Sequence, residues 1–345
     1  MNFDLDDNQT LFKDSVERFC APVDIATRTK MRRMVGGFDR ARWHELAELG
    51  LIGLAVGEAD GGLGGSLLDN AVVAQALGHG MAIEPWLESG FLVAKLLGGT
   101  AHIDDVISGE SLVALAFAER GGRYTLDART VTVKAGKLNG EKTFVLSGGA
   151  ADLFIVTANV GGTTQMFMVD AQSDGVHVRP YPVADGSLAA VVTFRDVAVT
   201  DAIGGADLLE GAIDASRIIM AAEMVGCAQR LFKETLDYVK TREQFGQPLG
   251  RFQVIQHRMV DVYSKCEAIQ SALYHALLQP GSSAEGIKAY VADEALWVAQ
   301  QAVQLHGGMG MSDDLAIGHG LKRILLLSKL FGDPASGIAH FAKAA

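Results

Sequence analysis

The segment Thr241–Asp261 concentrates side chains that could bind a phosphate group or a nucleotide. It reads TREQFGQPLGRFQVIQHRMVD, in which Arg242 ends a helical run and a turn follows at Gly246. The planar fork of a guanidinium meets two phosphate oxygens at once, and a helix end beside a turn suits an anion. The alternative is a helix-end arginine that pairs with Glu243 or with a backbone carbonyl. The spacing therefore predicts either a nucleotide-binding corner or a simple ion pair.

A second candidate is the segment Gln304–Met311, which reads QLHGGMGM. Gly307 and Gly308 follow a helical run, and two adjacent glycines let a ligand or another chain approach the backbone without a Cβ clash. A helix C-cap explains one glycine equally well, but it explains the preceding Gln304 less well. The segment predicts a close approach to the backbone at a helix end.

The histidines do not indicate a metal enzyme. The sequence has nine of them, and none forms an HxxxH pair or a comparable ligand spacing. His257 and His306 lie beside the two candidate segments, where an acid–base role is one hypothesis. A packed or hydrogen-bonded histidine is the more common case on a bundle helix. We therefore expect no metal and a structural role for both.

Composition argues against several classes of protein. The chain has 345 residues, a formal net charge of −11 and no basic block, which argues against nucleic-acid binding. Cys20, Cys227 and Cys266 lie far apart without a CxxC pair, so we expect neither disulfides nor zinc. The N-terminus lacks the pattern of a signal peptide, and no apolar run is long enough to span a membrane. These features predict a cytoplasmic protein without nucleic-acid or membrane partners.

The spacing of apolar residues changes twice along the chain. It is helical over residues 1–110, which predicts an N-terminal α-helical domain. Over residues 111–204, about seven short β-branched or alternating runs predict a compact antiparallel β-domain. Helical spacing returns over residues 205–345 and predicts a four-helix bundle. The long helical segments are Ser216–Thr241, Phe252–Leu278, Ala284–Leu305 and Leu321–Lys343.

The chain resembles the acyl-CoA dehydrogenase family of FAD flavoproteins over nearly its whole length. The resemblance rests on REQFG followed by FQ, on QLHGGMGM, and on the order of the three predicted domains. It implies an α+β fold with an N-terminal α-helical domain, a middle antiparallel β-domain and a C-terminal four-helix bundle. It also implies that FAD lies between the β-domain and the bundle, with its adenosine end reaching a neighbouring subunit.

The resemblance assigns roles to the residues of both signatures. In the family, the arginine that matches Arg242 binds the FAD pyrophosphate of the adjacent protomer. The residues that match Phe245 and Gln253 contact the adenosine half. The positions that approach the FAD nucleotide match Gln304, Gly307 and Gly308. We therefore expect FAD as the cofactor and an interface between subunits at its nucleotide end.

The β-domain departs from the family where the flavin ring would lie. The family has a TEP-type strand end and a W-[IS]-[TS] strand there, whereas this chain has AERG from Ala118 and FVLS from Phe144. Phe144 can still stack on the flavin, but Leu146 replaces the hydroxyl that would donate to the ring. Phe144 and Leu146 are explained equally well as core residues of a strand.

The catalytic base is the largest departure from the family. Acyl-CoA dehydrogenation needs a carboxylate to remove the α-proton, and the family's glutamate position falls on Phe331. A smaller branch carries its glutamate directly before an arginine, where this chain has Ser216. Glu223, two helical turns further along the same helix, and Asp333 are the nearest carboxylates. A hydrogen-bonded helix residue and a cap of the final helix are their alternative roles.

The resemblance implies a dehydrogenase that oxidises the Cα–Cβ bond of an acyl-CoA thioester and passes electrons to an electron-transfer flavoprotein. The short length and missing base resemble the short subunits of heteromeric members that act on steroid-type CoA esters. We therefore expect a homo- or hetero-oligomer, most simply a tetramer, with a related dehydrogenase subunit as a candidate partner. A non-catalytic subunit that completes a partner's FAD site, and a hydratase or oxygen-using enzyme on the same fold, are alternative hypotheses.

Overall fold

The structure, a computed structural model, describes residues 4–279 and 281–344. Helices occupy both ends of the chain. They are α1 (Asp7–Cys20), α2 (Ile25–Met31), α3 (Arg40–Glu48), α4 (Leu67–Gly80), α5 (Leu92–Leu97), α6 (Ile103–Ile107), α7 (Ala206–Thr241), α8 (Gln253–Leu278), α9 (Ala284–His306), α10 (Ala316–Lys329) and α11 (Pro334–Ala344). Within the described ranges, none of these helices combines the length and the apolar character needed to cross a membrane.

The middle of the chain forms an eight-stranded sheet in the order β6-β7-β3-β2-β4-β5-β8, with β1 paired to β4. The strands are β1 (Val113–Ala116), β2 (Thr132–Lys134), β3 (Lys137–Leu146), β4 (Leu153–Val160), β5 (Thr163–Asp170), β6 (Val176–Pro182), β7 (Leu188–Ala198) and β8 (Gly204–Gly205). Alternate side chains of these strands form one apolar core, in which the rings of Phe154 and Phe194 meet edge to face at 6.5 Å. A separate hairpin, β9 (Glu243–Gln244) and β10 (Gln247–Pro248), joins α7 to α8.

The sheet is mixed, which corrects the prediction of a purely antiparallel domain. Strand β1 runs parallel to β4, whereas β3–β7, β4–β5 and β6–β7 are antiparallel. Parallel neighbours need a long connection, and the chain forms β2 and β3 between β1 and β4. The apolar pattern within each strand carries no information on the direction of its partner.

The C-terminal helices differ from prediction in two places. Helix α7 begins at Ala206 rather than Ser216, because helical spacing already runs through ADLLEGAIDA. The predicted helix Leu321–Lys343 is interrupted after α10, where Phe331 and Gly332 have φ values of 53° and 121°. Pro334 then starts α11, a position where its missing N–H costs nothing.

The ends of α1 and α4 are tied together by polar side chains. The Asp6 carboxylate accepts from the Gln9 backbone N–H at 2.8 Å, and the Gln9 amide oxygen accepts from the Asp6 N–H at 3.1 Å, which forms a capping box. The Gln9 Nε2 also donates to Asp69 at 3.0 Å. These bonds fix the start of α1 against the first turn of α4.

The chain packs into two compact units. The helical unit comprises the described residues up to Thr29, Leu67–Ala82, and those from Arg217 onward; the sheet unit comprises Lys30–Ser66 and Ile83–Ser216. The division into domains 1–110, 111–204 and 205–345 stays a prediction. The two units group the residues differently, since each unit contains some of the N-terminal helices.

Candidate functional site

The first signature forms a tight hairpin at the end of α7. The Leu249 N–H donates to the Arg242 carbonyl at 2.8 Å and closes the turn between α7 and α8. At its tip, Phe245 and Gly246 have φ values of 54° and 82°. Glycine adopts this conformation freely, but it strains a phenylalanine. The hairpin therefore holds Phe245 in a strained backbone conformation, although its side chain packs little against the described residues.

The side chains of this hairpin point to a partner outside the described residues. Within residues 4–279 and 281–344, the Arg242 guanidinium forms no hydrogen bond or ion pair, so the pairing with Glu243 considered above is not formed. Phe245 is 92% exposed, and Gln253 is exposed at the start of α8. The ring of Phe245 meets that of Phe252 edge to face, with the centroids 6.2 Å apart. An uncommitted guanidinium beside an exposed ring suits a nucleotide diphosphate.

The second signature leaves open space beside its glycines. Helix α9 ends at His306, and Gly307–Met311 form a 3-10 turn. A Cβ atom added to Gly307 or to Gly308 would meet no atom within 4 Å. Gln304 is exposed, and Met309 and Met311 are 52% and 68% exposed. The backbone here is accessible to a ligand or to another chain.

Both signatures lie at the same end of the helical unit. Leu305 packs with Val239 of α7 and Met259 of α8 in one apolar cluster. His306 stacks on Tyr238, with ring centroids 4.2 Å apart, and its Nδ1 bonds the Ala302 carbonyl at 2.8 Å. His306 is therefore packed, as predicted.

His257 departs from the same prediction. It is exposed on α8 rather than packed, because it lies on the helix face that also carries the exposed Val254 and Val260.

In the sheet unit, Glu119 lies at the strand end that departs from the TEP pattern. Its carboxylate accepts from the Thr130 N–H at 2.6 Å, the Thr130 hydroxyl at 2.7 Å and Lys142 Nζ at 2.9 Å. Lys142 is fully buried and donates also to Phe117 O and Thr157 Oγ1, at 3.0 and 2.8 Å. Both ends of this pair are therefore satisfied by hydrogen bonds.

Burial and hydrogen bonding oppose each other in this pair. Burial alone would raise the pKa of Glu119, but the bonds from Lys142 and Thr130 prevail and lower it to about 2. Burial lowers the pKa of Lys142 to about 8. The pair is a buried ionic link between the segment that follows β1 and the middle of β3, rather than a group available to a substrate.

Phe144 and Leu146 have different environments. Phe144 has a φ of 54°, lies in an irregularity of the β3–β7 pairing between Lys142 and Val145, and is half-buried. Leu146 is only 9% exposed, like the core residues of the sheet unit. Phe144 keeps an accessible ring, whereas Leu146 offers no donor where the family has a hydroxyl. The role of Phe144 against a flavin stays a prediction.

The position that the resemblance predicts for the family's glutamate, Phe331, lies in the loop between α10 and α11. Arg217 Nε donates to the Phe331 carbonyl at 3.1 Å. Lys288 Nζ donates to the carbonyls of Ser328, at 3.2 Å, and of Gly332. Lys288 is 3% exposed, and burial together with the nearby Arg217 cation lowers its pKa to about 7. The loop between α10 and α11 is held by two buried cations through its backbone, and the Phe331 side chain is buried.

Both candidate carboxylates have structural partners. Glu223 is buried on α7 and receives a two-pronged contact from Arg323 of α10, with N–O distances of 2.6 and 3.2 Å. Asp333 accepts from the Ser336 N–H at 2.8 Å at the start of α11, where a cap was the alternative role. Both carboxylates are thus already engaged as hydrogen-bond acceptors. The assignment of the base to Glu223 or Asp333 stays a prediction.

Sequence reasoning missed the four buried cations that bind Glu119, Glu223 and the loop at Phe331. These cations are Lys142, Arg217, Lys288 and Arg323. The usable signal is a lysine or arginine inside an otherwise apolar helical or strand run, because such residues are almost never fully buried unless they are paired. The identity of each partner depends on long-range packing and is absent from the local sequence.

Comparison with known proteins identifies the family. Residues 6–100 match the model "Acyl-CoA dehydrogenase, N-terminal domain", and residues 204–343 match "Acyl-CoA dehydrogenase, C-terminal domain". The chain is 30% identical over 323 residues to acyl-CoA dehydrogenase IpdE2 of Mycolicibacterium smegmatis, covering 92% of this chain and 91% of that protein.

Solved structures agree on the fold. A variant of the Tcur3481-Tcur3483 steroid ACAD superposes with a TM-score of 0.88 at 26% identity and covers 97% of this chain and 96% of that one. The ChsE4-ChsE5 complex from Mycobacterium tuberculosis has the same fold, with a TM-score of 0.88 at 24% identity and coverage of 99% and 98%. The resemblance inferred from the two signatures is thus confirmed, and with it FAD as the cofactor of the family. The chain belongs to the acyl-CoA dehydrogenase family.

Proposed function

We propose that this chain is one subunit of an oligomeric, FAD-dependent acyl-CoA dehydrogenase. It contributes residues that bind the nucleotide end of FAD, and a related partner subunit contributes the carboxylate that removes the α-proton. The observation that carries this proposal is the loop at Phe331, which two buried cations hold by its backbone and in which a phenylalanine occupies the position that the resemblance gives to the base.

The nucleotide end fits FAD. Arg242 has a guanidinium without a partner in the described ranges, Phe245 exposes nearly its whole ring, and Gly307 and Gly308 leave their backbone open. Exposed apolar surface beside polar groups commonly marks a place where another molecule binds. An FAD bound across an interface would give each of these groups a partner.

The reaction needs two groups that act together on the thioester. A carboxylate takes the α-proton while the hydride on the β-carbon leaves to an acceptor, and a Cα–Cβ double bond forms. FAD supplies that acceptor, and an electron-transfer flavoprotein would then receive the electrons. This chain would hold the nucleotide in place with Arg242 and Gln253 and shape the flavin surroundings with Phe144. It would not take the proton.

For the substrate we propose a bulky, steroid-type acyl-CoA ester. The support is the likeness to a solved enzyme described as a steroid ACAD, at 26% identity over 97% of the chain. The small residues Ala221, Ala222 and Gly226 on α7 do not decide the question, since Gly226 is needed for close packing: a Cβ there would lie 2.0 Å from the Gln75 carbonyl.

Exchange of the α-proton tests which chain supplies the base. The oligomer would be prepared with Glu223→Gln, with Asp333→Asn, and with Glu234→Gln as a surface control, and then incubated with acyl-CoA in deuterated buffer. We expect all three preparations to exchange the α-proton at the wild-type rate, measured by proton NMR. Loss of exchange in one variant that stays folded at the assay temperature and keeps its FAD content would place the base in this chain and contradict the division of labour.

A further inference from the structure

The helical unit contains a cavity of about 490 Å³ that has no part in the site described above. It lies between α1, α4, α7 and α8, and the Asp4–Leu5 segment completes its wall. Its volume falls in the range typical of small-molecule sites, roughly 300–1,000 Å³. Ala71, Ala76 and Leu273 form buried apolar parts of the lining.

Three glutamines form one wall and the layer behind it. Gln75 of α4 uses its Nε2 to donate to the amide oxygens of both Gln229 and Gln270, at 2.9 and 2.7 Å. Gln229 of α7 donates to the same Gln270 oxygen at 3.0 Å. Gln75 and Gln229 line the cavity, and Gln270 lies behind them.

Two polar groups of these glutamines form no hydrogen bond within the described ranges. Both protons of the Gln75 amide are used, and within the described ranges its Oε1 receives no donor. Gln229 donates one proton and keeps the second, again with no acceptor among residues 4–279 and 281–344. Neither atom is shut off from solvent, in contrast to the Gln270 nitrogen, which is buried without an acceptor. The wall therefore offers one unused acceptor, Gln75 Oε1, and one unused donor, on Gln229 Nε2.

The charges around the cavity do not favour an anion. Asp4 and Glu17 are acidic, and Lys13, the one lysine of the lining, lies 3.8 Å from Glu17. Burial and the nearby Arg230 and Lys233 lower the pKa of His79, so its imidazole is neutral at pH 7. Among the described lining residues, a carboxylate or phosphate would find no uncompensated cation.

We infer that this cavity binds a neutral small molecule with a carboxamide group and an apolar body. The ligand's carbonyl would accept from the Gln229 amide, and its N–H would donate to Gln75 Oε1, as in a paired amide dimer. Its apolar part would lie against Leu273 and Leu277. No group of the FAD signatures lines this cavity, so the inference is independent of the proposed function.

The test is a titration with a defined probe, 2-naphthamide, by ligand-observed NMR. FAD is kept at saturating concentration so that the probe does not report on the flavin site. Gln75→Leu removes the acceptor at nearly constant volume, and Leu277→Trp fills the cavity from a half-buried position. Gln300→Leu, an exposed glutamine of α9, is the matched control. Thermal midpoints identify any variant that has lost its fold.

We expect the wild type and Gln300→Leu to bind 2-naphthamide with the same Kd. Both cavity variants should bind it at least tenfold more weakly, and the anion 2-naphthoate should bind the wild type at least tenfold more weakly than the amide. No saturable binding of 2-naphthamide up to its solubility limit would overturn the inference. Unchanged affinity in both cavity variants, or equal affinity for amide and carboxylate, would overturn it as well.

Discussion

Three phenylalanines are among the eight described non-glycine residues whose backbone has a positive φ. Phe144, Phe245 and Phe331 have φ values of 54°, 54° and 53°. A bulky residue in this region costs on the order of 1–3 kcal/mol, and such strain clusters at functional sites. The resemblance predicts these three positions for the flavin strand, the FAD hairpin and the base loop.

Arg242 provides the first prediction at this scale. In the assembled oligomer, Arg242→Ala should remove a charge-assisted contact worth roughly 1.5–3 kcal/mol and weaken FAD binding about ten- to hundredfold. Arg242→Lys keeps the charge but loses the planar fork, so its affinity for FAD should lie between that of the wild type and that of Arg242→Ala. Fluorescence titration of FAD measures all three proteins.

The control for this prediction is Arg195→Ala, which removes an exposed arginine from β7. It should bind FAD as the wild type does. Equal FAD affinity in Arg242→Ala and Arg195→Ala would contradict the pyrophosphate role.

The Glu119–Lys142 pair gives the second prediction. Glu119→Gln leaves the buried Lys142 charge without its partner and should lower the free energy of unfolding by about 3–5 kcal/mol at pH 7. Glu141→Gln is the matched control, because Glu141 is 41% exposed and lies 3.6 Å from Arg120, so its loss should cost about 0–1 kcal/mol. Urea denaturation measures both. Similar losses in the two variants would contradict the buried link.

The same pair has a defined dependence on pH. The pKa of Glu119 is lowered from 4.5 to about 2 in the folded chain. Its contribution to stability is therefore complete above pH 4.5 and is lost as the pH falls toward 2. Between pH 4.5 and pH 2, the free energy of unfolding should fall by less in Glu119→Gln than in the wild type.

At the scale of elements, the junction of α10 and α11 depends on Lys288. Its pKa is lowered from 10.5 to about 7 in the folded chain, so the unfolded chain keeps a proton that the folded chain releases. The free energy of unfolding should therefore rise as the pH increases from 7 toward 10.5, and Lys288→Met should remove that rise. Urea midpoints at four pH values between 6.5 and 9.5 measure it.

Lys329→Met is the control for this third prediction, because Lys329 lies at the same junction with its side chain 56% exposed. It should keep the wild-type slope. A wild-type slope in Lys288→Met would show that Lys288 does not titrate in this range.

The contact between α7 and α10 gives the fourth prediction. Glu223 and Arg323 are 9% and 10% exposed at their side chains and pair at 2.6 Å. Glu223→Leu and Arg323→Leu should each cost about 3–5 kcal/mol, because each leaves a buried charge unpaired. The double variant should be less destabilised than the sum of the two, by 1 kcal/mol or more. Additive losses in urea denaturation would contradict the pairing.

At the scale of the whole molecule, local patterns and long-range contacts differ in what they reveal. Helical spacing predicted α8 and α9 to within a residue at each end, because an amphipathic face repeats along the sequence. The direction of β1 against β4 and the ion pair of Glu223 with Arg323 escaped prediction, since each depends on a partner distant in the chain. The two signatures predicted the family, because the residues of each signature lie close together in sequence. For the catalytic base, the sequence predicted only that no glutamate lies at either of the two positions that the resemblance gives to it, Phe331 and Ser216.

Assembly is the fifth prediction. Phe245, Val254, Val260 and Met311 are large apolar residues exposed on the helical unit, with exposures between 61% and 92%. Apolar surface of this kind commonly marks an interface. We expect a tetramer, built from this chain alone or with a related subunit. Light scattering measures the mass, and a value near the 36.6 kDa of one chain at micromolar concentration would contradict it.

The central claim is that this chain completes a dehydrogenase without supplying its base. The most direct measurement is anaerobic bleaching of the flavin spectrum by acyl-CoA substrates, including steroid-type esters. It compares the purified chain, supplied with FAD, with the complex obtained by co-expressing it with a related dehydrogenase subunit. The account predicts that the complex is bleached and that the single chain is not. Full bleaching and turnover by the single chain would contradict it.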